Sequence, residues 1–189
     1  NELVSLNPQG DPRQVGNRAL IAAGTGLGEA GLMWDGVTHR PFASEGGHAS
    51  FAPNNSVGDE LLIFRRKELG HVSWERVLSG MGIKNLYRFF RQRSGQPEPA
   101  WLTAQIAAGD LGAVVSHAGM TATDPVCVET MDFFTRNYGA EAGNLALKML
   151  ALGGVYIGGG IAPKILTKMQ SSLFLEAFTH KGRLSPLLH

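Results

Sequence analysis

The stretch Ser44-Glu45-Gly46-Gly47-His48 sets a carboxylate and an imidazole on either side of two glycines. Paired glycines disfavour a helix, so Glu45 and His48 are expected to project from a compact turn. A carboxylate accepts two hydroxyl hydrogen bonds at once, and an imidazole donates or accepts. Such groups suit a polyhydroxyl ligand of the sugar type, because a wrong sugar leaves buried polar groups unpaired. Glu75, in Val72-Ser73-Trp74-Glu75-Arg76, is a third polar candidate, with Trp74 beside it to shield the site. On spacing alone Glu45 and His48 also fit a solvated loop. One His with two Glu could also hold a divalent metal as a facial triad. Glu-Gly-Gly-His lacks the helical i, i+4 spacing of two-ligand motifs, so no metal site is assigned.

Two glycine clusters carry a second kind of chemistry. Gly24-Thr25-Gly26-Leu27-Gly28 follows an apolar run. Its glycines let a ligand approach the backbone, and converging N–H groups with the Thr25 hydroxyl can hold an anion such as phosphate. A tight turn without ligand explains the same residues. Gly158-Gly159-Gly160-Ile161-Ala162-Pro163-Lys164 lies after a strand-like run, before an expected helix near Pro163. Ligands gather at the carboxyl ends of such strands, and a helix N-terminus favours negative charge. Two common nucleotide motifs fail here. A Rossmann fingerprint needs Gly where Pro163 stands, and a Walker A loop needs a Gly-Lys pair that the chain lacks.

The elements that must position these residues follow from pattern. Ala19–Ala23, Glu29–Trp34 and His39–Ala43 read as three strands of an antiparallel meander, with Asp35-Gly36 as a turn. Ser56, reciprocated by Asp59, is expected to cap a helix that stops at Gly70. Residues 74–78 suggest a short helical turn, with further helices over 84–91 and 101–108. Thr123-Asp124-Pro125 predicts a helix start, and that helix should run to about Leu152. Its small residues Gly139, Ala140, Ala142, Gly143 and Ala146 allow a close approach to a neighbour. Gly154–Ile157 reads as a last strand. The order gives an α/β arrangement: a strand meander, a helical insertion, and a strand–glycine turn–helix unit.

Composition excludes several classes. The 189 residues suit one domain, 43% are hydrophobic, and Lys+Arg 17 against Asp+Glu 16 leaves a net charge of +1. No basic excess points to nucleic acid. Arg65-Arg66-Lys67 is expected to be a solvated helix face. The one cysteine, Cys127, allows no internal disulfide, fits a reducing compartment, and is expected to be a buried hydrophobe. No stretch approaches the roughly 18 apolar residues of a membrane span.

Taken together, the chain resembles the bacterial glucokinase family. The resemblance lies in Gly24–Gly28, in Glu45-Gly46-Gly47-His48 with Phe51-Ala52-Pro53-Asn54, and in Gly70-His71-Val72-Ser73 leading to Glu75–Gly80. It continues in Asn85-Leu86-Tyr87, Gly143–Leu147 and Gly154–Lys164, in the same order, over nearly the whole chain. It implies a ribonuclease H-like lobe of the actin/hexokinase ATPase type, and ATP-dependent phosphorylation of glucose at its 6-hydroxyl with Mg2+. It implies that Glu45, His48 and Glu75 are sugar ligands. Gly24, Thr25, Gly26 and Gly28 would form a phosphate-binding hairpin, and Gly158, Gly159 and Gly160 the adenosine motif. A cytoplasmic homodimer is the family expectation. The family's Asp-x-Gly-Gly-Thr loop and the Asn-Asp pair carrying its general base do not occur in this sequence. Residues 1–189 are therefore expected to be a single C-terminal lobe that holds no catalytic base and does not turn over glucose alone. Ser50 stands where Asp is common in the family, and Met81 where Pro is common. The alternative is a non-catalytic sugar-binding or regulatory protein of the same fold. The repressor/kinase family among these normally carries a Cys-rich zinc motif, for which this chain has no cysteine before Cys127.

Overall fold

The computed structural model of the protein describes residues 3–189. Strands β1 (Arg18–Ala23), β2 (Leu27–Trp34) and β3 (His39–Ser44) come first. Five helices follow: α1 (Ser56–Leu69), α2 (Gly80–Ser94), α3 (Ala100–Ala108), α4 (Leu111–Met120) and α5 (Pro125–Met149). Strand β4 (Val155–Gly158), α6 (Leu166–Met169) and α7 (Ser172–Thr179) come next, and a 3-10 helix over Gly182–Leu188 ends the chain. The described chain divides into two compact units. One holds residues up to Ala23, Gly28–Gly46 and Thr135–His189; the other holds Gly24–Leu27 and Gly47–Phe134.

The first unit is built on a mixed sheet of order β3-β2-β1-β4. Strands β2 and β3 pair antiparallel, with Glu29 opposite Ser44, while β1 and β4 pair parallel, with Ile21 opposite Ile157. Alternation along β1 explains its place: Ala19, Ile21 and Ala23 are fully buried, whereas Leu20 faces outward. The turn at Asp35-Gly36 forms as expected, because Asp35 Oδ1 accepts the N–H groups of Val37 and Thr38 and Gly36 takes a φ of 98°. The small residues of α5 also serve as expected. A side chain at Gly139 or Gly143 would strike the carbonyl oxygens of Phe174 and Phe178 on α7.

Tyr138 of α5 is wholly buried, and its hydroxyl lies among the ends of β1 and β4. The Ala23 N–H donates to it at 3.1 Å, and the carbonyl oxygens of Ile21 and Gly158 lie at 3.4 and 3.3 Å. Burial pushes the phenol up to about 12, so the group stays a neutral donor. Replacing Tyr138 with Phe leaves the buried Ala23 N–H without this acceptor. The expected loss is about 1–3 kcal/mol by urea denaturation, and a loss below about 0.5 kcal/mol would show that the bond contributes little.

The second unit is helical. Aromatic pairs run through its core from Phe64 on α1 to Phe89 and Phe90 on α2 and on to Phe133 on α5, with ring centroids 5.6, 5.1 and 5.4 Å apart. Several boundaries differ from expectation for local reasons. Asn55, not Ser56, caps α1: it has an extended backbone and its side chain accepts the Gly58 N–H at 2.9 Å. Helix α2 begins earlier than expected, at Gly80, because Ser79 caps it by accepting the Gly82 N–H. Helix α4 was not evident from periodicity; its start is set by Asp110, which accepts the Ala113 N–H. Arg65 is buried and pairs with Glu68 at 2.6 Å, so only Arg66 and Lys67 of that basic run form a solvated face.

Candidate functional site

In the second unit a short 3-10 turn, Trp74–Arg76, carries Glu75. Backbone and side-chain bonds fasten this turn on both sides. The Ser79 hydroxyl donates to the Glu75 carbonyl at 2.7 Å, and the Asn85 amide donates to the Arg76 carbonyl at 2.9 Å. Trp74 is 2% exposed and meets Phe51 edge-on at 4.9 Å, so it is a core anchor beneath the turn. The Glu75 carboxylate therefore points from a fixed backbone. One of its oxygens accepts the Leu27 N–H at 3.0 Å, and the other lies 3.7 Å from His48 Nε2.

That arrangement explains the glycines nearby. The Gly24 N–H donates to the Gly26 carbonyl, closing the turn, and the Gly80 N–H donates to the Gly24 carbonyl at 2.8 Å. A Cβ at Gly26 would collide with the Glu75 carboxylate, and a Cβ at Gly47 with the Leu27 carbonyl oxygen. Gly26 and Gly47 are thus required by close approach. Gly24 differs: a Cβ there would meet nothing within 4 Å, so its face is open to a ligand. Thr25 and Gly28 are exposed. Gly28 belongs to β2, which starts at Leu27, so the turn itself is Gly24–Gly26.

Ser50 forms an isolated antiparallel bridge with Ser73, and its hydroxyl lies 3.3 Å from His71 Nε2. The loop carrying His48 is thereby tied to the segment leading to Glu75. Met81 is exposed, and its sulfur lies 2.8 Å from Arg76 Nη1. Glu45 is exposed and belongs to the first unit, directly after β3.

In the first unit Gly158 ends β4 and Gly159 turns the chain with a φ of 83°. A Cβ at Gly159 would strike the Ala23 carbonyl oxygen, which also accepts the Ile161 N–H at 3.2 Å. Gly160 is open, with nothing within 4 Å of a Cβ. The segment after it differs from expectation. A 3-10 turn, Ala162–Ile165, leads to α6, a single turn of four residues, and Ile165 at φ −115° separates them. Among the described residues no long helix starts at this point. Gly159→Ala combines a left-handed backbone with a clash. It is expected to lower stability by roughly 2–4 kcal/mol, read as a fall in the thermal midpoint, and an unchanged midpoint contradicts the close packing on Ala23.

Cys127 is fully buried, and burial pushes its thiol up to about 12, as suits a small core hydrophobe. Among the described residues no group of three His, Cys, Asp or Glu is placed to hold a metal ion. No helix of the described residues is long and apolar enough to cross a membrane.

A family model described as glucokinase matches residues 1–189. The chain belongs to the glucokinase family. It is 44% identical over 192 residues to a glucokinase of Nostoc punctiforme, covering 95% of this chain and 56% of that protein. Among solved structures it is similar to a glucokinase from an Antarctic psychrotroph, at 36% identity and a TM-score of 0.80, over 95% of this chain and 52% of the other. A glucokinase of the ROK family from Streptomyces griseus, solved with glucose and AMPPNP, shares the fold: 21% identity and a TM-score of 0.56, over 86% of this chain and 50% of the other. The chain thus spans about half the length of the glucokinases it matches.

Neither periodicity nor spacing signals the ordering roles of Ser79 and Asn85 or the bond from Leu27 to Glu75. The close approach of Gly26 to Glu75 was legible only as a glycine with no stated partner.

Proposed function

We propose that the whole protein transfers the γ-phosphoryl group of ATP to the 6-hydroxyl of glucose. This chain supplies, as a ribonuclease H-like lobe, the sugar ligands and part of the nucleotide site. The observation that carries the proposal is the shared carboxylate. Glu75 faces His48 with one oxygen and holds the glycine turn at Leu27 with the other. A sugar ligand and a phosphate-holding turn are thereby linked by one side chain, an arrangement that suits the joint positioning of two substrates for transfer.

In this proposal Glu75 and Glu45 accept sugar hydroxyls, and His48 donates to or accepts from one. Directional bonds of this kind orient the sugar and reject analogues that lack a hydroxyl. The open backbone at Gly24, with Thr25, Gly26 and Gly28, meets phosphate oxygens. Gly158, Gly159 and Gly160 lie against the adenosine. Mg2+, carried by the phosphate oxygens of the nucleotide, would offset their charge during transfer. No residue of this chain is assigned to take the hydroxyl proton. A cytoplasmic location and a homodimer belong to the same proposal and rest on the family likeness.

The test is ADP release by the whole protein, followed with glucose and ATP varied separately. Saturable release that needs both substrates, and falls to the background of ATP hydrolysis when the glucose 6-hydroxyl is missing, is the expected result. Glucose binding without any ADP release would instead favour a non-catalytic sugar-binding protein of this fold.

A further inference from the structure

Glu29 on β2 is an unusual residue for its place. It is 6% exposed, and its Oε1 has no hydrogen-bond partner among the described residues. A buried carboxyl without partners costs free energy, and such groups in native proteins call for a reason. Its surroundings supply one. Glu29 stands opposite Ser44 in the β2–β3 register. The Ser44 hydroxyl accepts the Gly46 N–H at 2.9 Å. A Cβ on Gly46 would collide with Glu29 Oε2 and would lie 3.1 Å from the Ser44 hydroxyl. The Glu29 carboxyl is therefore packed against Ser44 and Gly46, the two residues that flank Glu45, and all of them belong to the first unit.

The charged groups facing Glu29 come from α5. Glu141 is fully buried and opposes ionisation of Glu29, while Lys148 favours it. Lys148 pairs with Glu141 at 2.9 Å, and the Asn144 amide donates to the same carboxylate at 2.7 Å. Lys181 adds a charge that acts on Glu141 and Lys148, its amine donating to the Ala140 carbonyl and the Asn144 amide oxygen. Ser44 is the polar neighbour from β3. Lys148 is thus already engaged by Glu141, and among the described residues Glu29 forms no ion pair.

We propose that Glu29 is a positioning residue for the Ser44–Gly46 stretch, and that its change between neutral and ionised forms tunes sugar affinity. The proposal rests on the assignment of Glu45 as a sugar ligand. The neutral carboxyl fits the tight space beside Gly46. The ionised carboxyl demands water or a cation there, and meeting that demand displaces the Gly46 backbone and with it Glu45. Burial first, and Glu141 second, raise the carboxyl to about 7, so the change falls within the working pH range of an ordinary enzyme.

The experiment compares the whole wild-type protein with its Glu29→Gln variant, measuring glucose KM and ATP KM from about pH 6 to about pH 8.5. In the wild type glucose KM is expected to rise about threefold to tenfold over that range, equivalent to a sugar-linked pKa change of roughly half to one unit. The variant keeps the low-pH value throughout, and the ATP KM curves of the two proteins stay parallel. A rise in glucose KM that persists in the variant, or one matched by ATP KM, overturns the proposal. A second measurement needs no variant. Linkage requires glucose binding to draw a fraction of a proton onto the wild-type protein near pH 7, read by calorimetry in two buffers of different ionisation heat. Absence of that uptake also overturns it. A wild-type protein that neither binds nor phosphorylates glucose at any pH overturns the sugar assignment itself, an outcome distinct from normal turnover with an unaltered pH profile.

Discussion

Glu75→Gln is expected to raise glucose KM about a hundredfold while changing ATP KM by less than about threefold. The asymmetry follows from the two oxygens of the carboxylate. Glutamine retains one carbonyl oxygen, which can keep accepting the Leu27 N–H and so hold the glycine turn. Its other end becomes an NH2 donor facing His48 and the proposed sugar hydroxyls, where an acceptor is needed. Glu75→Ala removes both functions. The Leu27 N–H then loses its acceptor, and the turn that presents the open Gly24 backbone loses a tether. ATP KM should now rise as well, by about tenfold, the equivalent of one lost buried hydrogen bond. Steady-state kinetics on the whole protein with each variant decide the matter. Equal effects of Gln and Ala on ATP KM would sever the link between Glu75 and the nucleotide turn. Unchanged glucose KM in Glu75→Gln would remove Glu75 from the sugar ligands.

Much of this arrangement is legible in the sequence because it depends on residue types with few alternative uses. Glycines at 24, 26 and 28 between two apolar runs announce a turn, and the structure closes it at Gly24–Gly26. Asp35-Gly36 announces a hairpin turn, and Gly36 needs its positive φ. Helix ends were less legible, because capping is decided by which of several adjacent polar residues adopts an extended backbone. Asn54, Asn55 and Ser56 all qualify by type, yet only Asn55 reaches the Gly58 N–H. Helix α4 carries little sequence signal because Gly112, of low helix propensity, stands at its second position. Gly112 is small for a tertiary reason: a Cβ there would lie 3.2 Å from the Gly80 carbonyl oxygen. The expected helix after Gly160 shrank to a 3-10 turn and one helical turn, since propensity over so short a segment yields to local packing. Glu29 and Tyr138 were invisible as special residues, because alternation and periodicity report burial of a position and not the polar partners waiting there.

The largest effect on stability is expected from Asp124, in the second unit. Its side chain is 3% exposed and pairs with the Arg91 guanidinium at 2.9 Å, and its Oδ1 also accepts the Cys127 N–H at 2.8 Å as the cap of α5. Arg91 is itself 13% exposed, bonds to the Tyr87 hydroxyl and lies over the Tyr87 ring at 5.2 Å. Asp124→Ala leaves a nearly buried guanidinium without its counter-ion and a helix without its cap. The expected cost is about 3–5 kcal/mol, read as a shift of the urea midpoint. Asp124→Asn keeps the cap and a neutral acceptor for Arg91, so it should lose clearly less. The pH dependence has a fixed sign. Burial pushes the Asp124 carboxyl up, but the bonds from Arg91 and Cys127 outweigh it and hold the group below the usual carboxylate range. A depressed folded value means that the stabilisation is complete above the unfolded carboxyl value, about pH 4, and drains away as pH falls through the folded value. The gap between wild type and Asp124→Ala should therefore be constant from about pH 5 to neutrality and narrow in stronger acid. A gap below about 1 kcal/mol at neutral pH, or one that widens in acid, would show that the Arg91–Asp124 pair does not carry this joint between α2 and α5.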